Sequence, residues 1–100
     1  MKFYTTAENC VLVDAREYEL FNDGHIPGAL SCPVSDFENC ILSIKNSVNL
    51  TSNLVVYCSD IHCSDSHLLA EQLIKKGYFN VQVYAGGFNQ WQQHGYPIQK

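Results

Sequence analysis

One hundred residues make one domain of ordinary size, expected to span 1–100. A 46% hydrophobic and 12% aromatic content supplies a core and excludes a disordered chain. Only 16% of residues are charged, the net charge is −4 with histidine neutral, and the basic residues are scattered. The chain therefore lacks the basic stripe that nucleic acid or an anionic membrane would need, and neither is an expected partner. No apolar run approaches the roughly 18 residues of a membrane span. The opening MKFYTTAENC has no apolar stretch of the signal-peptide kind, so the expected location is cytoplasmic. The five cysteines, at 10, 32, 40, 58 and 63, show no closed framework, and a disulfide-stapled fold is not expected. Cys10, Cys32 and Cys40 sit among apolar neighbours and read as small buried hydrophobes.

In chain order, CVLVDA at 10–15 is a continuous apolar run ending near Asp14, which predicts a strand buried on both faces. REYELFND follows with Tyr18, Leu20 and Phe21 at helical spacing, and it breaks at Asp23–Gly24. GHIPGAL is punctuated by Gly24, Pro27 and Gly28, so it is a turn leading into a short strand, ALSC. VSDFENCILSIKNS puts Phe37, Cys40, Ile41 and Ile44 on one helical face, with Ser35 or Asp36 as N-cap. NLVVYC is the second clear buried strand. In SDSHLLAEQLIKKGY, Leu69, Leu73 and Ile74 are predicted to share a helical face. Lys75 and Lys76 occupy the last turn and Gly77 the C-cap. NVQVYAGG alternates Val81, Val83 and Ala85 as a strand stopped by two glycines, and FNQWQQHG is a final short helix. Strands alternating with helices predict an α/β fold: a central parallel sheet of about five strands with helices on both faces. In such sheets reactive groups gather at the carboxyl ends of the strands, where Asp14, Cys58 and the Gly86–Gly87 pair all fall.

Cys58 ends a strand and runs into a polar loop, SDIHCSDS, before a helix that starts near residues 64–66. The first N–H groups of that helix have no intrahelical partner, and its dipole places roughly half a positive charge at that end. Both favour an anion there. A thiol in that cradle is expected to ionise more easily than the reference value of about 8.5, as a nucleophile or as the carrier of a persulfide. The alternative is that Cys58 merely ends a strand as a small buried residue.

The residues reached so far resemble a known family. VLVDAREYELFNDGHIPGAL resembles the first signature of rhodanese domains, LVVYC their active-site strand and cysteine, and VYAGGFNQWQQHGYPI their closing signature. The resemblance runs in order through nearly the whole chain and implies sulfur transfer. A sulfane sulfur is taken onto the loop cysteine as a persulfide and passed to a thiol or another nucleophile. It implies Cys58 as nucleophile and Ser59, Asp60, Ile61, His62, Cys63, Ser64, Asp65 and Ser66 as the active-site loop. The partners it implies are a sulfur donor and a thiol acceptor, either small molecule or protein, with no cofactor and no metal. Asp14 and Arg16 match residues that brace the site in the family; the alternative is an ion pair of little consequence. His25 is expected to hold the turn, Gly86 and Gly87 to support the site, and Phe88, Trp91 and Tyr96 to be core or rim aromatics.

The loop departs from the family pattern. It is lengthened, it carries Asp60 and Asp65 with no Lys or Arg, and Cys63 stands where an Arg is common. A doubly charged donor such as thiosulfate meets carboxylates and no cation, so it is expected to be a poor donor. The phosphatase chemistry of related cell-cycle enzymes lacks its phosphoryl-clamping Arg. Cys63 is either a resolving thiol for a persulfide or sulfenic acid on Cys58, or a loop residue packed inward. Cys58, His62, Cys63 and His67 lie within ten residues, but His62 and Cys63 are adjacent, unlike the two separated pairs of a zinc site. His67 is expected to face solvent, and His62 to tune the thiol if it points inward. Two further functions stay open: a thiol redox protein using Cys58 and Cys63, and a non-catalytic binding module on the same fold.

Overall fold

The computed structural model describes residues 10–60 and 63–100. Four strands form one sheet: β1 (Cys10–Asp14), β2 (Leu30–Ser31), β3 (Asn53–Tyr57) and β4 (Val81–Tyr84), in the order β2-β1-β3-β4 and all parallel. The sequence predicts about five strands; the described residues hold four. Four helices connect and flank them: α1 (Tyr18–Asp23), α2 (Phe37–Ser47), α3 (Asp65–Lys75) and α4 (Gly87–Gln93). No helix among the described residues is long and apolar enough to cross a membrane.

Alternation along the central strands builds two cores, because successive side chains leave a strand on opposite faces. Val13, Leu54 and Val56 join Phe37, Ile41 and Ile44 of α2 and Leu69 and Leu73 of α3 on one face. Leu12, Val55 and Tyr57 join Ile26, Tyr84, Phe88 and Trp91 on the other, with Phe21 of α1 packed against them. Both central strands are thus buried on both faces, as their continuous apolar runs predict.

The helix ends and faces differ from expectation in informative ways. Asp36 is the N-cap of α2 but makes no side-chain capping bond. Its carboxylate accepts from the Tyr18 hydroxyl (2.8 Å) and the Asn39 amide (2.7 Å), while Ser35 donates to Glu17 (2.8 Å). Those side chains tie α1 to the turn before α2 in place of capping. Tyr18 and Leu20 face solvent, and Phe21 alone of that trio turns inward. On α3, Leu69, Ala70 and Leu73 are buried, and Ile74, predicted to share that face, is 54% exposed. The α3 C-terminus is a Schellman motif: Gly77 N–H donates to Ile74 O (3.0 Å) and Tyr78 N–H to Leu73 O (3.1 Å), with Gly77 at φ +105°. On β4 Tyr84 is the buried residue, Val81 and Val83 are partly buried, and Ala85 is exposed, one residue past the strand.

The cysteines overturn the unpaired reading. Cys32 and Cys40 form a disulfide across 5.1 Å between Cα atoms, and Cys58 and Cys63 form a second. Cys32 (0% exposed) follows β2 and Cys40 (4%) faces the same core from α2, so burial and pairing are satisfied together. Sequence spacing did not show this, because proximity comes from packing α2 on the sheet. The side chain of Cys10 lies outside what is described.

Cross-linking a loop of this length restricts the unfolded chain by about 2.5 kcal/mol on the chain-entropy account. The double variant Cys32→Ala/Cys40→Ala should lose stability of about that size in denaturant titration, with sulfur chemistry at Cys58 retained. An unchanged midpoint would show that the cross-link contributes nothing.

Candidate active site

The parallel register aligns Asp14, Tyr57 and Tyr84 across neighbouring strands, so β1, β3 and β4 end together. Cys58 follows Tyr57 directly and is 3% exposed. Cys63 N–H donates to Asp60 O (3.1 Å), which turns the chain back so that Cys63 bonds to Cys58 across 6.2 Å between Cα atoms. The pair lies just before the α3 N-terminus, whose N-cap Ser64 makes no side-chain capping bond. Ser59, Asp60, Cys63 and Asp65 are partly buried, Ser66 is buried, and Ser64 and His67 are exposed. Ile61 and His62, named from sequence as loop residues, lie outside the described residues.

The start of α4 docks on this loop through its backbone. Phe88 N–H donates to Cys58 O and Asn89 N–H to Ser59 O, both at 2.8 Å. In a trans peptide the N–H points opposite to the C=O of the same unit. The N–H groups of Ser59 and Asp60 are therefore directed away from α4. Gly87 makes the docking possible: at φ +66°, a Cβ on it would stand 2.5 Å from Cys58 O and 2.9 Å from Ser59 O. Gly86, the α4 N-cap, has a different nearest neighbour: its Cβ would first meet the flexible Gln90 side chain.

Beneath the loop lies a buried ion pair. Arg16 Nε and Nη2 donate to the Asp14 carboxylate at 2.8–3.1 Å, and Arg16 N–H adds a 2.8 Å bond to Oδ1. Asp14 is 0% and Arg16 5% exposed. Arg16 Nη2 also donates to Gly24 O (2.6 Å), and its guanidinium carbon sits 4.2 Å from the Phe88 ring centre. The Tyr57 hydroxyl donates to Asp14 Oδ2 (2.9 Å) and accepts from Ile26 N–H (3.1 Å). Burial, and then the Asp14 charge, pushes the Tyr57 phenol far above its ordinary range. Asp14 and Arg16 thus join the strand before Cys58 to the ring after Gly87.

His25 Nδ1 lies 2.9 Å from Phe21 O, its ring stacks on Phe21 at 3.8 Å, and its backbone pairs with Gln99. Those contacts tie His25 to α1 and to the C-terminal segment. Trp91 is buried and donates to Pro97 O (2.6 Å), with Tyr96 packed edge-on against it. Sulfur and oxygen atoms of Cys58, Cys63 and Asp65 come within 4.8 Å of one another, but the sulfurs are bonded to each other and neither offers a thiolate to a metal.

Sequence reasoning missed Tyr57, although a lone hydroxyl in an otherwise aliphatic strand is a usable signal, since a buried Tyr hydroxyl needs a partner. It also missed Phe88 and Asn89 as backbone donors, for which no side-chain signal exists.

The rhodanese-like domain family matches residues 4–94. The chain belongs to the rhodanese-like family. It is 34% identical to the thiosulfate sulfurtransferase GlpE of Pseudomonas entomophila, covering 85% of this chain and 72% of that protein. It is 29% identical to the GlpE of Actinobacillus succinogenes, covering 92% and 78%. It is also 29% identical to the dual specificity phosphatase Cdc25 of Arabidopsis thaliana, over 90% of this chain and 66% of that protein. Among solved structures, the rhodanese-like domain of the Alr3790 protein from Anabaena is 26% identical with TM-score 0.74, covering 90% and 98%. The BH2092 protein of Bacillus halodurans shares the fold at TM-score 0.84 and 21% identity, covering 98% and 69%.

Two variants of this rhodanese-like domain probe the supports. Gly87→Ala should separate α4 from the loop and shift the pH profile of alkylation of reduced Cys58 upward, with the fold retained by circular dichroism; an unmoved profile would show that the docking does not tune the sulfur. Tyr57→Phe leaves Ile26 N–H without its acceptor and should cost about 1–3 kcal/mol. A raised folded-state pKa contributes stability below the unfolded value, about 10, that is lost as pH rises beyond it. Wild-type stability should therefore fall above that pH more steeply than that of Tyr57→Phe in parallel denaturant titrations.

Proposed function

We propose that this rhodanese-like domain carries sulfane sulfur as a persulfide on Cys58 and passes it to a thiol acceptor. The observation that carries the reading is the placement of Cys58. It directly follows β3 and lies beside the α3 N-terminus, and the following two peptide N–H groups are turned away from α4. The sulfurtransferases among its relatives support it.

The reduced Cys58 thiolate attacks the outer sulfur of a persulfide R–S–SH. A bond forms between Cys58 Sγ and that sulfur, the S–S bond of the donor breaks, and the thiolate RS⁻ departs. An acceptor thiolate then takes the outer sulfur and returns Cys58 as thiolate. Cys63 offers a second exit: its thiolate attacks Cys58 Sγ, expels hydrosulfide and leaves the Cys58–Cys63 disulfide, which two external thiols reduce. Asp60 and Asp65 disfavour dianionic donors, so a persulfide is the better donor than thiosulfate.

The bonded Cys58–Cys63 pair favours a second reading, a thiol redox protein in which both cysteines are required for turnover.

Reduced protein incubated with thiosulfate or a low-molecular-weight persulfide should gain one sulfur by mass spectrometry, faster from the persulfide. The gain should vanish in Cys58→Ser and persist in Cys63→Ser. No gain from either donor, with Cys58 slow toward an alkylating agent, would leave a binding module. Asp65→Asn should speed loading from thiosulfate about fivefold, the equivalent of roughly 1 kcal/mol of like-charge repulsion near 4 Å in water; an unchanged rate would remove the charge argument.

A further inference from the structure

We infer that exchange with an external thiol enters the Cys58–Cys63 pair at Cys63. The partner thiol is then carried as a mixed disulfide on Cys63, while Cys58 is released as the thiolate. The inference rests on Cys58 being the reactive sulfur of the loop, as proposed above.

A disulfide can be attacked at either sulfur, and the choice follows access and leaving group. Access favours Cys63. It is partly exposed, beyond the turn closed by its own N–H on Asp60 O, whereas Cys58 is 3% exposed at the strand end.

The α3 N-terminus lies beside both bonded sulfurs, so it stabilises whichever thiolate departs, and access decides the point of entry.

The step balances. RS⁻ bonds to Cys63 Sγ, the Cys58–Cys63 bond breaks, and Cys58 takes the electron pair. A second RS⁻ then attacks the R sulfur, releasing RSSR and the Cys63 thiolate, so two thiols are oxidised and one disulfide is reduced. The order has a consequence: Cys58 is free to accept sulfur after the first thiol has reacted, while Cys63 is still capped and unable to expel hydrosulfide.

The oxidised full chain, mixed with 2-mercaptoethanol, is quenched in acid at successive short times. Free thiols are capped with N-ethylmaleimide at mildly acidic pH. Cleavage before aspartate then separates Cys63 in fragment 60–64 from Cys58 in fragment 36–59, which stays joined to fragment 23–35 through Cys32–Cys40. Extrapolated to the earliest times, mercaptoethanol on Cys63 with maleimide on Cys58 should exceed the reverse pattern about tenfold or more. Equal labelling, mercaptoethanol on Cys58, or a pair that stays bonded would overturn the inference. Persulfide loading of pre-reduced protein, run beside it, reports on sulfur transfer alone: loading with the wrong adduct sinks only the entry point, and failure of both sinks both.

Discussion

The Asp14 carboxylate is the group on which the site depends. It is wholly buried, and burying an ion pair costs several kcal/mol per charge unless its hydrogen bonds are met. Here they are met by Arg16 from its backbone and guanidinium and by the Tyr57 hydroxyl. One carboxylate thereby joins the end of β1, the end of β3 and, through Arg16, the turn at Gly24 and the ring of Phe88. Breaking such a pair from one side leaves an uncompensated buried charge, which costs about 3–5 kcal/mol. Its significance is geometric, since it fixes the two backbones that meet at Cys58.

The second contact in that chain is entirely backbone. Phe88 and Asn89 spend first-turn N–H groups of α4 on the carbonyls of Cys58 and Ser59, and the opposite edges of those peptides follow by planarity. Gly87 is required because a Cβ would occupy the space of the Cys58 carbonyl. Side chains bring the elements together, and peptide geometry then sets where the donors point.

The two disulfides occupy different environments. Cys32–Cys40 lies inside the larger core, away from any thiol in solvent, and belongs to the scaffold. Cys58–Cys63 lies past the carboxyl end of β3, with one cysteine buried and the other partly open. A single chain thus holds a cross-link suited to persist and one suited to exchange, and the difference is access rather than chemistry.

The sequence by itself determined the elements and the strand ends at which the candidate site is placed. Continuous apolar runs marked the two central strands, helical spacing marked Phe37, Cys40, Ile41 and Ile44, and a glycine after two lysines marked the end of α3. These features are local, so they are legible in a window of residues. Strand ends marked Asp14 and Cys58, and the resemblance added Arg16 and a role for each. Only the tertiary structure decided which cysteines pair, that Ile74 faces solvent, that Tyr57 completes the Asp14 network, and that Gly87 rather than Gly86 is pressed against the loop. Each depends on contacts between residues far apart in the chain. Packing creates those contacts, and no spacing within a segment encodes them.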